Sequence, residues 1–109
     1  MASREEVAGL FAKWSEKFDP AKVKDINAAI QFELSGENGG NYWLRIADGT
    51  ADTGEGQIEG AKMVLRSSAD DFYSMINGGL NPMQAFMMGK IKIQGDTGLA
   101  LKLMPLING

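Results

Sequence analysis

Apolar residues recur with helical spacing along the first twenty positions. Val7, Leu10, Phe11, Trp14 and Phe18 stand at i, i+3, i+4, i+7 and i+11, opposite Arg4, Lys13, Glu16 and Lys17, so one stripe faces a core. Ser3 with Glu6 three residues on predicts a capping box that starts this helix, and Asp19-Pro20 ends it. From Ile26 the period drops to two. Ile26, Ala28, Ile30, Phe32 and Leu34 alternate with Asn27, Gln31 and Glu33, which predicts a strand with one buried face and one wet face. Gly36 to Gly40 turn the chain. Tyr42, Leu44 and Ile46, with Arg45 pointing the other way, then predict a second strand paired to the first as a hairpin, ending at Asp48-Gly49.

The stretch from Ala51 to Gly60 is polar and glycine-rich, so a strand there belongs at a sheet edge, where a weak apolar pattern is tolerated. Ala61, Met63 and Leu65 alternate as a further strand. Ser68 to Asp71 supply N-cap side chains for a short helix carrying Phe72, Met75 and Ile76, which Gly78-Gly79 stops. Pro82 suits the first turn of another helix, Met83 to Met88, because its missing N–H is an orphan donor there anyway. Ile91 and Ile93, between Lys90 and Lys92, predict a last short strand ending at Gly95. Thr97 to Met104 read as a helix apolar nearly all round, with Lys102 as its charge, broken by Pro105. Elements in this order do not alternate as a doubly wound sheet requires. They predict an α+β fold, a mainly antiparallel sheet with helices on one face.

Length and composition narrow this further. At 109 residues, 44% of them hydrophobic, the chain suits one domain over residues 1–109 with one core. The net charge is −3, and Lys and Arg are spread out rather than clustered, so no footprint for nucleic acid is present and an acidic lipid surface would on balance be weakly repelled. With no Cys, disulfides and thiolate metal sites are impossible, and a reducing cytoplasm is the expected location. The first residues lack the apolar core of a signal peptide, and no apolar stretch nears the roughly 18 to 20 residues that cross a bilayer.

Candidate chemistry is sparse. Asp48, Thr50, Asp52 and Glu59 take positions of a calcium loop, but Thr53 occupies the place that needs Gly and strands flank it. Gly54 to Gly60 lacks the spacing of a phosphate-binding glycine loop. No metal or cofactor is expected. With neither His nor Cys, the commonest general base and the thiol nucleophile are missing, and the adjacent Asp70 and Asp71 are explained by capping a helix start. An enzyme is not expected.

The run Ile76-Asn-Gly-Gly-Leu-Asn-Pro-Met-Gln-Ala-Phe-Met-Met-Gly-Lys-Ile-Lys-Ile-Gln-Gly-Asp96, followed by Gly98-Leu-Ala-Leu-Lys-Leu103, closely resembles the C-terminal half of the sterol carrier protein 2 family. The family pattern is met at Gly78, Asn81-Pro82, Ala85-Phe86 and Gly89 to Gly95. The N-terminal half resembles it more loosely, through the Phe11 to Phe18 helix, Ile30-Gln-Phe32, Trp43-Leu44 and the helix start at Asp71. The chain departs from the pattern at Gly79, where Lys is common, and at Met104-Pro105, where the final helix usually continues. It ends Leu-Ile-Asn-Gly, without the Ser-Lys-Leu type address of animal members, so a prokaryotic cytoplasmic member is expected.

The resemblance implies a single α+β domain of five strands and about five helices enclosing an apolar tunnel. It also implies a non-enzymatic carrier of fatty acid, fatty acyl-CoA, sterol or phospholipid, with transient membrane contact. On this footing Trp14, Phe18, Phe32, Phe72, Ile76, Met83, Phe86, Met87, Leu101 and Met104 are the candidate lipid-binding residues. Four Met residues, Met83, Met87, Met88 and Met104, fall in the last quarter of the chain, and unbranched, polarizable Met suits a pocket that refits to ligands of different shape. Arg45 and Lys22 are head-group candidates on charge alone. An alternative reading makes the apolar Leu99 to Ile107 segment an interaction or oligomerisation surface.

Overall fold

The computed structural model describes residues 4–17, 21, 24–77, 79–99 and 102, without the side chains of Arg4, residues 14–17 and Pro82. Helix α1 (Arg4–Lys17) is followed by strands β1 (Ala28–Ser35), β2 (Gly40–Ala47), β3 (Thr50–Glu55) and β4 (Met63–Ser68). Helices α2 (Ala69–Ile76) and α3 (Pro82–Met87) and strand β5 (Ile91–Gly95) follow, then a helical turn at 97–99. The α+β expectation holds. Three helices and this turn are seen among the described residues, fewer than the five implied by resemblance.

The five strands form one sheet in the order β3-β2-β1-β4-β5. Three pairings are antiparallel as expected, but β1 runs parallel to β4, so the sheet is mixed. Register stacks apolar side chains in rows on one face: Leu44, Ile30 and Met63 in one, Tyr42, Phe32, Leu65 and Ile93 in the next. All but Ile93 are buried, and α1 and α2 cover them with Val7, Leu10, Phe11, Phe72 and Met75. The β2–β3 hairpin turns on Asp48-Gly49, both with positive φ (53° and 78°), the geometry of a two-residue type I′ loop whose twist matches that of the strands. The strands flanking this turn exclude the calcium loop on structural grounds as well.

Parallel pairing of β1 with β4 imposes a crossing. β3 ends at the sheet edge beside Tyr42, while β4 starts beside Ile30, three strand positions away and roughly 14 Å across the sheet. Residues 56–62 make that passage, and Gln31 pegs them down. Its Nε2 donates to the carbonyls of Tyr42 (3.0 Å) and Gly56 (2.9 Å), and its Oε1 accepts from the Ile58 amide at 2.8 Å. Gln31 is therefore 3% exposed, where alternation predicts a wet side chain: β1 is central and covered on both faces. Alongside, the Trp43 ring lies across Gly54 on the neighbouring strand, where a Cβ would come within 2.5 Å of it. The β4 strand opens at Met63 rather than at Ala61, and Lys62 just before it already donates to the Ala29 carbonyl of β1 (2.8 Å).

Replacing Gln31 by Leu keeps the volume but strands two carbonyls and one amide beneath the crossing segment. Gln31→Leu should lower unfolding free energy by about 2 to 4 kcal/mol, read by urea denaturation. A loss below about 0.5 kcal/mol would show that the passage does not depend on this peg.

Candidate functional site

Four aromatic rings meet between helices and sheet. Phe11 of α1 stacks on Tyr42 (centroids 4.4 Å, 6° between planes) and on Phe72 of α2 (5.5 Å, 8°), and meets Phe32 edge-on at 5.1 Å. Phe32 and Phe72 complete the set in a T-shaped contact at 5.6 Å. Such contacts add about 0.5 to 1.5 kcal/mol per pair beyond burial. Thr53 Oγ1 donates to the Phe11 carbonyl (2.8 Å), fixing α1 over β3.

Helix α2 is set by its cap: Ser68 Oγ accepts from the Asp71 amide (3.1 Å), as the sequence predicts. Its inner side carries Phe72 and Met75, fully buried, with Ile76 and Tyr73 at the margin. The Tyr73 hydroxyl donates to Glu6 Oε2 at 2.8 Å and so joins α2 to α1. The proposed capping partner, Ser3, lies outside the described residues. That hydrogen bond, with partial loss of hydration and the Glu6 charge, holds the Tyr73 phenol above its ordinary value of 10.0.

Helix α3 differs. Asn81 Oδ1 caps it by accepting from Met83 N (2.9 Å) and Gln84 N (3.3 Å), with Pro82 at the first position; the helix spans Pro82–Met87, and Met88 is its C-cap rather than its last residue. Ala85 points into the core. The large side chains do not: Met83 is 52% exposed, Phe86 44%, Met87 81% and Met88 65%.

The candidate residues thus fall into groups. Phe32 and Phe72 are in contact on the packed face with Ile76 at the edge, whereas Met83, Phe86 and Met87 form an outward apolar surface on α3. Phe18, Leu101, Met104, the Trp14 side chain and the segment 103–109 lie outside the described residues, as does Lys22. Arg45, the other head-group candidate, sits on the open face of the sheet and pairs with Asp52 at 3.7 Å. The Met residues split as well: Met63 and Met75 are core, while Met83, Met87 and Met88 are surface.

Sequence reasoning passed over Phe11 and Tyr42 as site residues. Both stand in its apolar patterns, but periodicity marks them only as core. It also passed over an open cleft of about 440 Å³ at the ends of β1 and β4, lined among others by Glu33, Ser35, Arg66, Ser68, Lys90 and Lys92. Arg66 is engaged there, donating to Glu33 (2.7 Å) and to Gln94 (2.6 Å).

Comparison with known proteins places the chain. Residues 8–108 match the model of the SCP-2 sterol transfer family. Hydroxysteroid dehydrogenase-like protein 2 of Bos taurus is 45% identical over 87 residues, a match that covers 79% of this chain and 21% of that protein. The chain therefore spans about a fifth of the length of the curated relatives it matches. Among solved structures, the sterol carrier protein domain 2 of Helicoverpa armigera superposes with a TM-score of 0.75 at 28% identity, covering 94% of this chain and 83% of that one. The palmitated SCP2L2 of Aedes aegypti gives a TM-score of 0.76 at 22% identity, over 99% and 96% of the two chains.

The Tyr73–Glu6 bond predicts a measurable titration. Because the folded phenol is raised, its contribution to stability is present below the unfolded value of 10.0 and is lost as pH climbs through the folded one. In Glu6→Gln, Tyr73 should titrate closer to 10.0, followed by NMR of ring-labelled tyrosine. An unmoved titration curve would remove Glu6 as the cause.

Proposed function

The chain belongs to the SCP-2 sterol transfer family, whose domain is a lipid-binding fold, and from that premise we propose that it is a non-enzymatic carrier of long-chain fatty acyl ligands. Fatty acid or acyl-CoA is the principal cargo, with sterol and phospholipid as competing ligands. The observation that carries this reading is the outward apolar surface of α3. A short helix that buries only Ala85 and leaves Met83 and Phe86 half in water loses hydration free energy that an apolar ligand would restore. The palmitated state of the Aedes aegypti protein supports an acyl ligand in this fold.

In this reading Phe32, Phe72 and Ile76 are the floor of the ligand site, and Met83, Phe86 and Met87 its mouth. Leu101, Met104, Trp14 and Phe18 remain candidates for the remaining wall. Burying an acyl chain of about sixteen carbons at roughly 0.8 kcal/mol per CH₂ yields about 12 kcal/mol gross, against an association cost of about 4 kcal/mol or more. Micromolar or tighter binding follows without an ionic anchor. An empty void of that size would cost several kcal/mol, which favours a site opened by its ligand over one held open in advance; the rings of the floor stand 4.4 to 5.6 Å apart. Loading then parts the helix layer from the aromatic floor, and unbranched Met adapts the mouth to the ligand.

Phe86→Asp should abolish binding of a fluorescent fatty acid and leave the circular dichroism spectrum unchanged, since the ring is already half exposed. Binding within twofold of the parent would remove Phe86 from the site. Saturating fatty acid should also raise the melting temperature of delipidated protein by about 10 °C at one hundred times Kd. A flat melting temperature with fatty acid, acyl-CoA and sterol alike would end the carrier reading.

A further inference from the structure

Three of the four large apolar side chains exposed among the described residues are methionines: Met83 at 52%, Met88 at 65% and Met87 at 81%, all on α3 or its C-cap. Met83 and Met87 stand four residues apart and share one side of the helix, and Met88 follows directly. Met63 on β4 and Met75 on α2 are the reverse case, at 2% and 3%. Methionine is the chain's one source of sulfur, since it has no Cys, so these thioethers meet an oxidant with no thiol to compete for it. Packing does not use the outward sulfurs, for none of the three residues belongs to the core. Leucine would offer comparable apolar area there and no oxidisable atom.

We infer that Met83, Met87 and Met88 form a reversible oxidation site for peroxides, and that their sulfoxides close the ligand mouth to apolar cargo. This rests on the carrier reading, in which α3 carries that mouth. In the forward step the thioether sulfur attacks one oxygen of the peroxide: an S–O bond forms, the O–O bond breaks, and the second oxygen leaves with the proton of the first, as water when the oxidant is hydrogen peroxide. Sulfur gives up two electrons and the peroxide takes them. In the return step a dithiol reductase removes the oxygen as water and becomes a disulfide, a role for which this chain has no Cys of its own. An outward sulfoxide keeps its hydration in the folded domain, so the fold loses little. An acyl chain laid against it would strip that water from a polar acceptor and has no donor to replace it, so the cost falls on the loaded state. Met63 and Met75 differ, because oxidising either one needs the core to open first.

The test treats the delipidated full chain with hydrogen peroxide, maps the added oxygen by peptide mass spectrometry, and titrates a fluorescent fatty acid before treatment, after it, and after incubation with reductases for both sulfoxide epimers. Met87, Met88 and Met83 should oxidise first, with Met63 and Met75 at least about tenfold slower. Uptake should weaken about tenfold and recover with the reductases, while the melting temperature of the ligand-free protein stays within about 2 °C. In a protein carrying Met83→Leu, Met87→Leu and Met88→Leu, peroxide should change that protein's own affinity by less than about twofold, because no thioether remains on α3. A peroxide effect in this variant equal to that in the parent would overturn the inference. So would core methionines oxidised at the same rate, an unfolded product, or undiminished uptake with all three sulfoxides in place, and each of these would leave the carrier reading standing. Untreated protein that takes up no fatty acid would end the carrier reading and this inference with it.

Discussion

The fold turns on one ring. Phe11 lies against Tyr42, Phe32 and Phe72 together, so a single side chain of α1 joins the first two strands to α2. The sequence separation among these four residues makes that contact non-local. It closes the helix layer over the sheet, and the Thr53 and Tyr73 hydrogen bonds act at its two flanks. The rings lie among the branched side chains of Val7, Leu10, Ile30, Leu44 and Leu65, and together these form one continuous core.

The two faces of the sheet have separate duties, and the crossing at residues 56–62 enforces the separation. With Gln31 pinning that segment and Trp43 lying over Gly54, the far face is partly roofed by polar backbone and one aromatic. Arg45 and Asp52 neutralise each other on that side. The buried apolar core of the described residues lies on the helix face.

How much of this is legible in sequence depends on what period and propensity encode. The strands are legible because Ile26 to Leu34 and Tyr42 to Ile46 alternate, and the caps at Ser68 and Asn81-Pro82 are legible because capping is local chemistry. The parallel partnership of β1 and β4 is not, since alternation marks a buried face without naming the neighbouring strand or its direction. Gln31 is illegible for a related reason: a polar residue at an outward position looks the same whether water or a crossing segment covers it. Pattern and resemblance mark Phe32, Phe72 and Ile76 as apolar site residues, and the structure gathers them. The same reasoning groups Met83, Phe86 and Met87 with them, yet on α3 they point outward, because a helix with apolar residues on several sides carries no periodic sign of which side the core will take.

That outward placement is hard to explain by stability alone. A short surface helix selected only for folding would keep Ala85 inward and carry polar residues elsewhere, as α1 does with Lys13 on its outer side. Serine or glutamine at positions 87 and 88 would leave the described core intact, since neither Met belongs to it. Nothing in the described core therefore calls for apolar side chains at these positions. They occupy one corner, adjoin the inward-facing Ala85, and are bordered by Lys90 and Lys92, which have no ion-pair partner among the described residues. An apolar surface of this kind is the feature on which the proposed lipid-binding reading rests, because contact with an apolar ligand would remove it from water.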